Sequence, residues 1–198
     1  ITVLDTQNRT LLETIPVNTS ITRLAISSNG NQLYLNNTGG NLIQALNTQT
    51  KTIEKSIQVG QAGDLLVRVY DISLSPDGNR LYAAVWRLST GFDPTGAPVN
   101  ISWGGIVVID TQTFTQVAEI KAGELVANMG VTPDGKTAYV AGVELLSDQA
   151  TGNLQVFIVD LVSNQALGSI RGLNLPVAFT FGANKPAIPQ LPPISFSF

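Results

Sequence analysis

The phrase Ser75-Pro76-Asp77-Gly78-Asn79-Arg80-Leu81-Tyr82 returns as Thr132-Pro133-Asp134-Gly135-Lys136-Thr137-Ala138-Tyr139. A blurred copy stands at Ser28-Asn29-Gly30-Asn31-Gln32-Leu33-Tyr34. Each copy lies between two short alternating apolar runs, which predicts a tight hairpin between two strands. Asp-Gly and Asn-Gly supply the positive-φ positions such turns require, and proline presets φ at the corner. A hairpin that returns roughly every 50 residues marks a repeat architecture. Such a repeat constrains the scaffold far more than it constrains the activity.

Reading outward from each turn gives one order of strands. An alternating run precedes it: Thr22 to Ser27, Val69 to Leu74, Ala127 to Val131. A run ending in small residues follows: Leu33 to Asn36, Leu81 to Val85, Ala138 to Ala141. A third run ends in an Asp-Thr-like turn at Asn47-Thr48, Asp110-Thr111 and Asp160, and a fourth closes the unit at Thr52 to Ile57, Gln116 to Ile120 and Ala166 to Ile170. Period-two alternation punctuated by Gly, Pro, Asn and Asp is the signature of strands, and no segment holds a helical period. Four antiparallel strands joined by hairpins form a propeller blade. One such sheet cannot bury both faces alone, so blades pack face to face around an axis.

Ile109-Asp110-Thr111, Ile120, Thr132-Pro133-Asp134-Gly135 and Ala138-Tyr139-Val140-Ala141 together resemble the YVTN-type β-propeller repeat. In that family a Val-Ile-Asp-Thr strand, a Val-Ala-Thr-Ile strand, a Ser-Pro-Asp-Gly turn and a Tyr-Val-Ala-Asn strand follow one another. The resemblance runs to about Ala183 and implies the fold. It implies no catalytic residue, because such propellers occur in surface-layer, secreted and redox-related proteins alike. Asn29-Gly30 in place of Asp-Gly, Asn47 in place of Asp, and two insertions depart from the pattern.

The expected organisation is a single all-β propeller domain or propeller fragment over residues 1–198, with units at about 21–59, 69–122 and 126–172. Residues 1–17 read as third and fourth strands and 176–198 as first and second, so the termini together form a closing blade, about four blades in this chain. A small closed ring, part of a larger ring, and a homodimer that completes the ring between chains all satisfy this count. The chain opens on Ile1 and its single methionine is Met129, as expected of a processed or excised product.

Only 13% of residues are charged, about half the usual share, and the net charge is -3. No basic face for nucleic acid is expected, nor a membrane span. Cysteine and histidine are absent, which removes disulfides, thiolate or imidazole metal sites and every mechanism that uses an imidazole base.

Asp77 and Asp134, and Asp5, Asp110 and Asp160, recur at equivalent positions of the repeat, with Asn29 and Asn47 in their place in the first unit, and are read as turn-forming carboxylates. Residues that break the repeat are the better candidates for binding. The insertion from Arg87 to Trp103 carries Phe92 and Asp93 and is bracketed by Trp86 and Trp103. These tryptophans either staple the base of a long hairpin or form an aromatic platform for a sugar or a partner surface. A second insertion, Glu144 to Gly152, carries Asp148. An irregular stretch, Gly60 to Arg68, places Asp64 and Arg68 near the ring's mouth. Arg23 and Asp71 lie on innermost strands where alternate side chains face the axis; they form a channel ion pair or bind an ion or small polar ligand. Asn8, Asn18, Asn36 and Asn100 open Asn-X-Ser/Thr triplets.

No catalytic residue, metal ligand set or cofactor is expected, with a divalent cation such as calcium the one group left open. The leading expectation is a non-catalytic module, extracellular or on a cell surface (periplasmic as the alternative), whose loop face binds protein or carbohydrate. Its rival is a lactone-hydrolase-like or redox-associated propeller enzyme using channel carboxylates and a divalent metal.

Overall fold

The computed structural model describes residues 1–17, 20–37, 39–145 and 152–172, and among these no residue is helical. β1 (Thr2–Asp5) and β2 (Thr10–Thr14) form a two-stranded sheet. Three four-stranded antiparallel sheets follow, each paired in chain order. The first holds β3 (Ile21–Ile26), β4 (Gln32–Asn37), β5 (Leu42–Asn47) and β6 (Ile53–Gln58). The second holds β7 (Asp64–Leu74), β8 (Arg80–Phe92), β9 (Pro98–Asp110) and β10 (Thr115–Lys121). The third holds β11 (Leu125–Val131), β12 (Thr137–Leu145), β13 (Gly152–Asp160) and β14 (Gln165–Arg171). These are propeller blades, with β3, β7 and β11 innermost.

Local chemistry fixes the turns. Gly30, Gly78 and Gly135 take φ of 72°, 73° and 70°. Asp134 Oδ1 accepts from the Thr132 hydroxyl and the Lys136 N–H, and Asp77 does the same with Ser75 and Asn79. At the other turn Asp110 Oδ1 accepts the N–H groups of Gln112 and Thr113 at 2.9 and 3.0 Å. Asn47 and Asp160 repeat that cap, and in each case the residue four on (Lys51, Phe114, Asn164) is left-handed. Thr111 then ties the two turn types together, its hydroxyl donating to Gly78 O at 2.8 Å. The hydrogen bonds around Asp77, Asp110 and Asp134 hold all three carboxyls below the usual carboxylate range. They serve the turn.

Adjacent sheets bury apolar side chains against each other. Tyr34, Ile43 and Val59 meet Val69, Ile72, Leu81 and Val85 between the first and second full sheets. Tyr82, Ile106 and Val108 meet Val126, Met129, Val140 and Phe157 between the second and third. Leu33, Leu35 and Leu46 pack under Ile15, Ile1 and Val3 of the two-stranded sheet. The small residues are there for approach: a Cβ on Gly105 would sit 2.1 Å from Ile120 O.

Some expectations need correction. The second unit begins at Asp64 and not at Val69, because the lengthened β8 offers a partner as far as Asp64↔Ser89. The Arg87–Trp103 insertion is an unbroken ladder out to Phe92↔Pro98, closed by a turn at Asp93. Asn36 is fully buried and donates to Val69 O at 3.0 Å, so its triplet is no surface acceptor. Asp148, Asn18 and the proposed C-terminal strands lie outside the described residues.

Candidate functional site

The axis is built by a device that period-two reading overlooks. β3, β7 and β11 each carry a register shift, at Ile21/Arg23, Val69/Asp71 and Val126/Asn128. A bulge adds one residue to a strand and re-aims the side chain that follows. Val69 pairs with Val85, whereas Asp71 pairs with Ala84, so Asp71 turns to the opposite face of its sheet. Arg23, Asp71 and Asn128 are thereby equivalent positions of three successive blades.

They meet. Arg23 Nε lies 3.4 Å from Asp71 Oδ1, and Arg23 Nη2 donates to Asn128 Oδ1 at 3.3 Å. Asp71 Oδ2 accepts the Met129 N–H from the next blade at 3.0 Å, and Oδ1 accepts the Ile72 N–H at 3.0 Å. Burial pushes the Asp71 carboxyl above its ordinary range, and the Met129 and Ile72 N–H donors and Arg23 offset this only in part. The cluster is a cation in contact with both an anion and an amide. Sequence reasoning named Arg23 and Asp71 but missed Asn128.

The hairpin formed by the outer parts of β8 and β9 is the second feature. Its tip exposes Phe92 at 72% and Ile101 at 47%. Asp93 is occupied by the turn: its Oδ1 accepts the Thr95 hydroxyl and the N–H groups of Thr95 and Ala97. Those bonds, the Thr95 hydroxyl foremost, hold its carboxyl low. Trp86 pairs with Gly104 and Trp103 with Arg87, so the two indoles lie on opposite faces of the ribbon and form no common platform. Trp86 Nε1 donates to the Ser102 hydroxyl at 2.8 Å, and that hydroxyl donates to Glu124 O at 2.6 Å. Arg68 is exposed directly across from Trp86.

The hairpin base holds a buried ionic network. The Arg87 guanidinium donates to both Glu119 oxygens, at 2.9 and 2.7 Å, and stacks 4.1 Å from the Trp103 ring. Asp64 Oδ2 stands 3.8 Å from Arg87 Nη1 and accepts the Gln61 N–H at 2.7 Å. Arg87 and Glu119 were not among the expected site residues. Their signal is parity: Arg87 shares the inward face of β8 with Leu81, Ala83 and Val85.

No protein-family model and no curated protein matches the sequence. Solved structures do. Hydrazine synthase of Kuenenia stuttgartiensis is 23% identical with a TM-score of 0.65, over 86% of this chain and 43% of that one. The WD40 repeats of RRP9 match at 12% identity and a TM-score of 0.56, over 79% and 40%. A protein assigned as a 6-phosphogluconolactonase from Bacteroides fragilis matches at 19% identity and a TM-score of 0.56, over 89% and 49%. The chain spans less than half the length of each of these structures, and the likeness is one of propeller fold.

Proposed function

We propose that this chain is a non-catalytic propeller module, secreted or displayed on a cell surface, that binds a protein partner through the β8–β9 hairpin. The observation behind this reading is the hairpin itself. It extends past its flanking strands, carries exposed Phe92, Val99 and Ile101, and stands on the Arg87–Glu119–Trp103 base. A rigid ribbon with apolar side chains at its tip suits a protein surface, where a few buried aromatic and aliphatic anchors dominate affinity. Carbohydrate binding is the weaker version, since Trp86 and Trp103 lie on opposite faces. The rival enzyme needs several oxygen ligands converging on the axis. Asp71 and Asn128 stand there, but both serve Arg23.

The test compares the parent chain with Phe92→Ser/Ile101→Ser against extracellular protein fractions and a panel of neutral polysaccharides. Retention of a protein by the parent, weakened at least about tenfold in the variant, is the expected result. Equal retention by both would remove the hairpin from the binding surface. Lactone hydrolysis that depends on an added divalent cation would favour the enzyme.

A further inference from the structure

We propose that the partner adds an extended segment of its own chain as a strand on the outer edge of β9, beyond the end of β10, an inference that rests on the hairpin as the binding surface. β9 runs for 13 residues and β10 for 7. β10 pairs with β9 from Asp110 to Gly105. Its line ends at Gly104, whose N–H donates to Gly123 O and whose C=O accepts the Ala122 N–H, both at 2.8 Å. At Gly123, with φ of 130°, the chain leaves this sheet for β11. From Pro98 to Trp103, β9 keeps β8 on one side and has no strand of the described residues on the other. In the first full sheet, by contrast, β6 accompanies β5 to its first residue, Leu42. β10 is the outermost strand of its blade, so the uncovered edge opens on the rim and not on the axis.

The occupant follows from the groups on this edge. In an antiparallel ladder the N–H and C=O of one residue point to the same side, and successive residues alternate sides. Both groups of Gly104 face the β10 side, so those of Ser102 and Asn100 do too, with the C=O of Pro98 beyond them. Ile101 and Trp103 turn theirs to β8. The row is exposed from Pro98 to Ile101. Donors and acceptors at strand spacing are matched by another strand. Edges that must stay unpaired are guarded by charges or bulges, yet Ala97 to Trp103 carry no charge and pair with β8 without a register shift. An uncharged segment meets no repulsion there and strands no charge. Val99 and Ile101, 38% and 47% exposed, share one face, and Asn100 and Ser102 the other. The added strand therefore alternates β-branched apolar residues beside the first pair with small polar ones beside the second. A second copy is the poorer occupant. Paired with itself about Asn100, the edge sets Pro98 opposite Ser102, and proline has no N–H for the Ser102 C=O. The next register inward sets Pro98 opposite Gly104, whose groups β10 already fills.

Amide hydrogen exchange followed by NMR reads the edge directly. In the chain alone, the Asn100 and Ser102 N–H groups should exchange at least about tenfold faster than those of Ile101 and Trp103, which face β8. Equal protection of all four overturns the proposal. The probe is a capped, uncharged peptide of about seven residues alternating threonine and valine, which should slow exchange at Asn100 and Ser102 at least about tenfold at millimolar concentration. N-methylation at its threonines, whose N–H groups face β9, should abolish that effect, and N-methylation at its valines should not. Equal behaviour of the two methylated peptides, or no effect of the unmodified one, overturns the proposal. Asn100→Pro separates strand addition from the hairpin reading, because it removes an edge donor and keeps Phe92, Val99 and Ile101. A protein retained by the parent should bind the proline variant at least about tenfold more weakly, with the β-sheet circular dichroism unchanged. Retention lost with Phe92→Ser/Ile101→Ser but kept with Asn100→Pro overturns strand addition and leaves the hairpin as the binding surface. Should the proline chain fail to fold, the methylated peptides decide on the parent alone. A parent dimer that Asn100→Pro converts to single chains puts a second copy on the edge and overturns the proposal.

Discussion

Arg87→Met tests whether the hairpin stands on its buried ionic base. The arginine side chain is 8% exposed, and its partners Asp64 and Glu119 are 10% and 19% exposed. Methionine keeps the aliphatic stem against Trp103 and removes the charge, leaving two carboxylates in a site shielded from water. Losing one partner of a buried pair costs about 3–5 kcal/mol. The lower end applies here, because the Gln61 N–H still donates to Asp64 and the Gln116 amide to Glu119. At about 2–4 °C per kcal/mol for a domain of this size, the melting temperature should fall by roughly 10 °C in thermal denaturation followed by circular dichroism. Arg87→Met/Glu119→Met removes one stranded carboxylate as well and should recover more than half of that loss, since replacing both partners of a buried pair by apolar groups is often near neutral. Arg68→Met, at an exposed position of the same hairpin base, is the control and should shift melting by no more than about 2 °C. An Arg87→Met protein that melts like this control, or a double variant less stable than the single one, would refute the argument.

Four further outcomes follow from the same geometry. Gly78→Val and Gly135→Val should each cost about 1–2 kcal/mol from left-handed strain, and Gly135→Val more, because its Cβ would also meet Pro76 Cδ at 2.8 Å; equal melting of all three proteins contradicts this. The Asp71 carboxyl sits above its ordinary pKa when folded, so the native chain holds that proton more tightly than the unfolded chain does. Its contribution is greatest below the ordinary aspartate range and is lost as pH rises through it, so the parent should lose stability relative to Asp71→Asn between about pH 3 and pH 6. Asp110, held low by the Thr113 and Gln112 N–H groups, has the opposite sign, and the parent should gain on Asp110→Asn over that window. Calcium and chelator should leave the melting temperature unchanged, because the axial carboxylate already faces Arg23; a rise with calcium would point to a cation site.

The turns were legible because their physics is local. Ser75, Asp77 and Gly78 satisfy one another within a few residues, so the motif, its glycine conformation and its carboxylate role can be read from one stretch of chain. The hairpin was legible as an interruption between Trp86 and Trp103, but its two faces were not, since they depend on the pairing Arg87↔Trp103. The axis was half legible. Strict alternation places Asp71 on the same face as Val69, and only the bulge at Tyr70 turns it toward Met129 of the next blade. The Arg87–Glu119 pair spans 32 residues, and neither member has a local motif to announce it.

The bulges also separate what the fold requires from what is particular to this chain. The turn positions repeat nearly the same residues in each unit because the backbone there dictates them: a left-handed glycine and a carboxylate or amide cap. The residue after each bulge sits in an equally repeated backbone, yet is Arg23 in one blade, Asp71 in the next and Asn128 in the third. Blade packing therefore leaves this position free to vary, and its chemistry is set by the groups it meets at the axis. Here those groups satisfy each other as a cation, an anion and an amide, which gives the inner strands polar contacts across blades 1 to 3 with no net charge. With these axial groups satisfying one another, the proposed binding role rests on the β8–β9 hairpin, one of the two insertions that depart from the repeat.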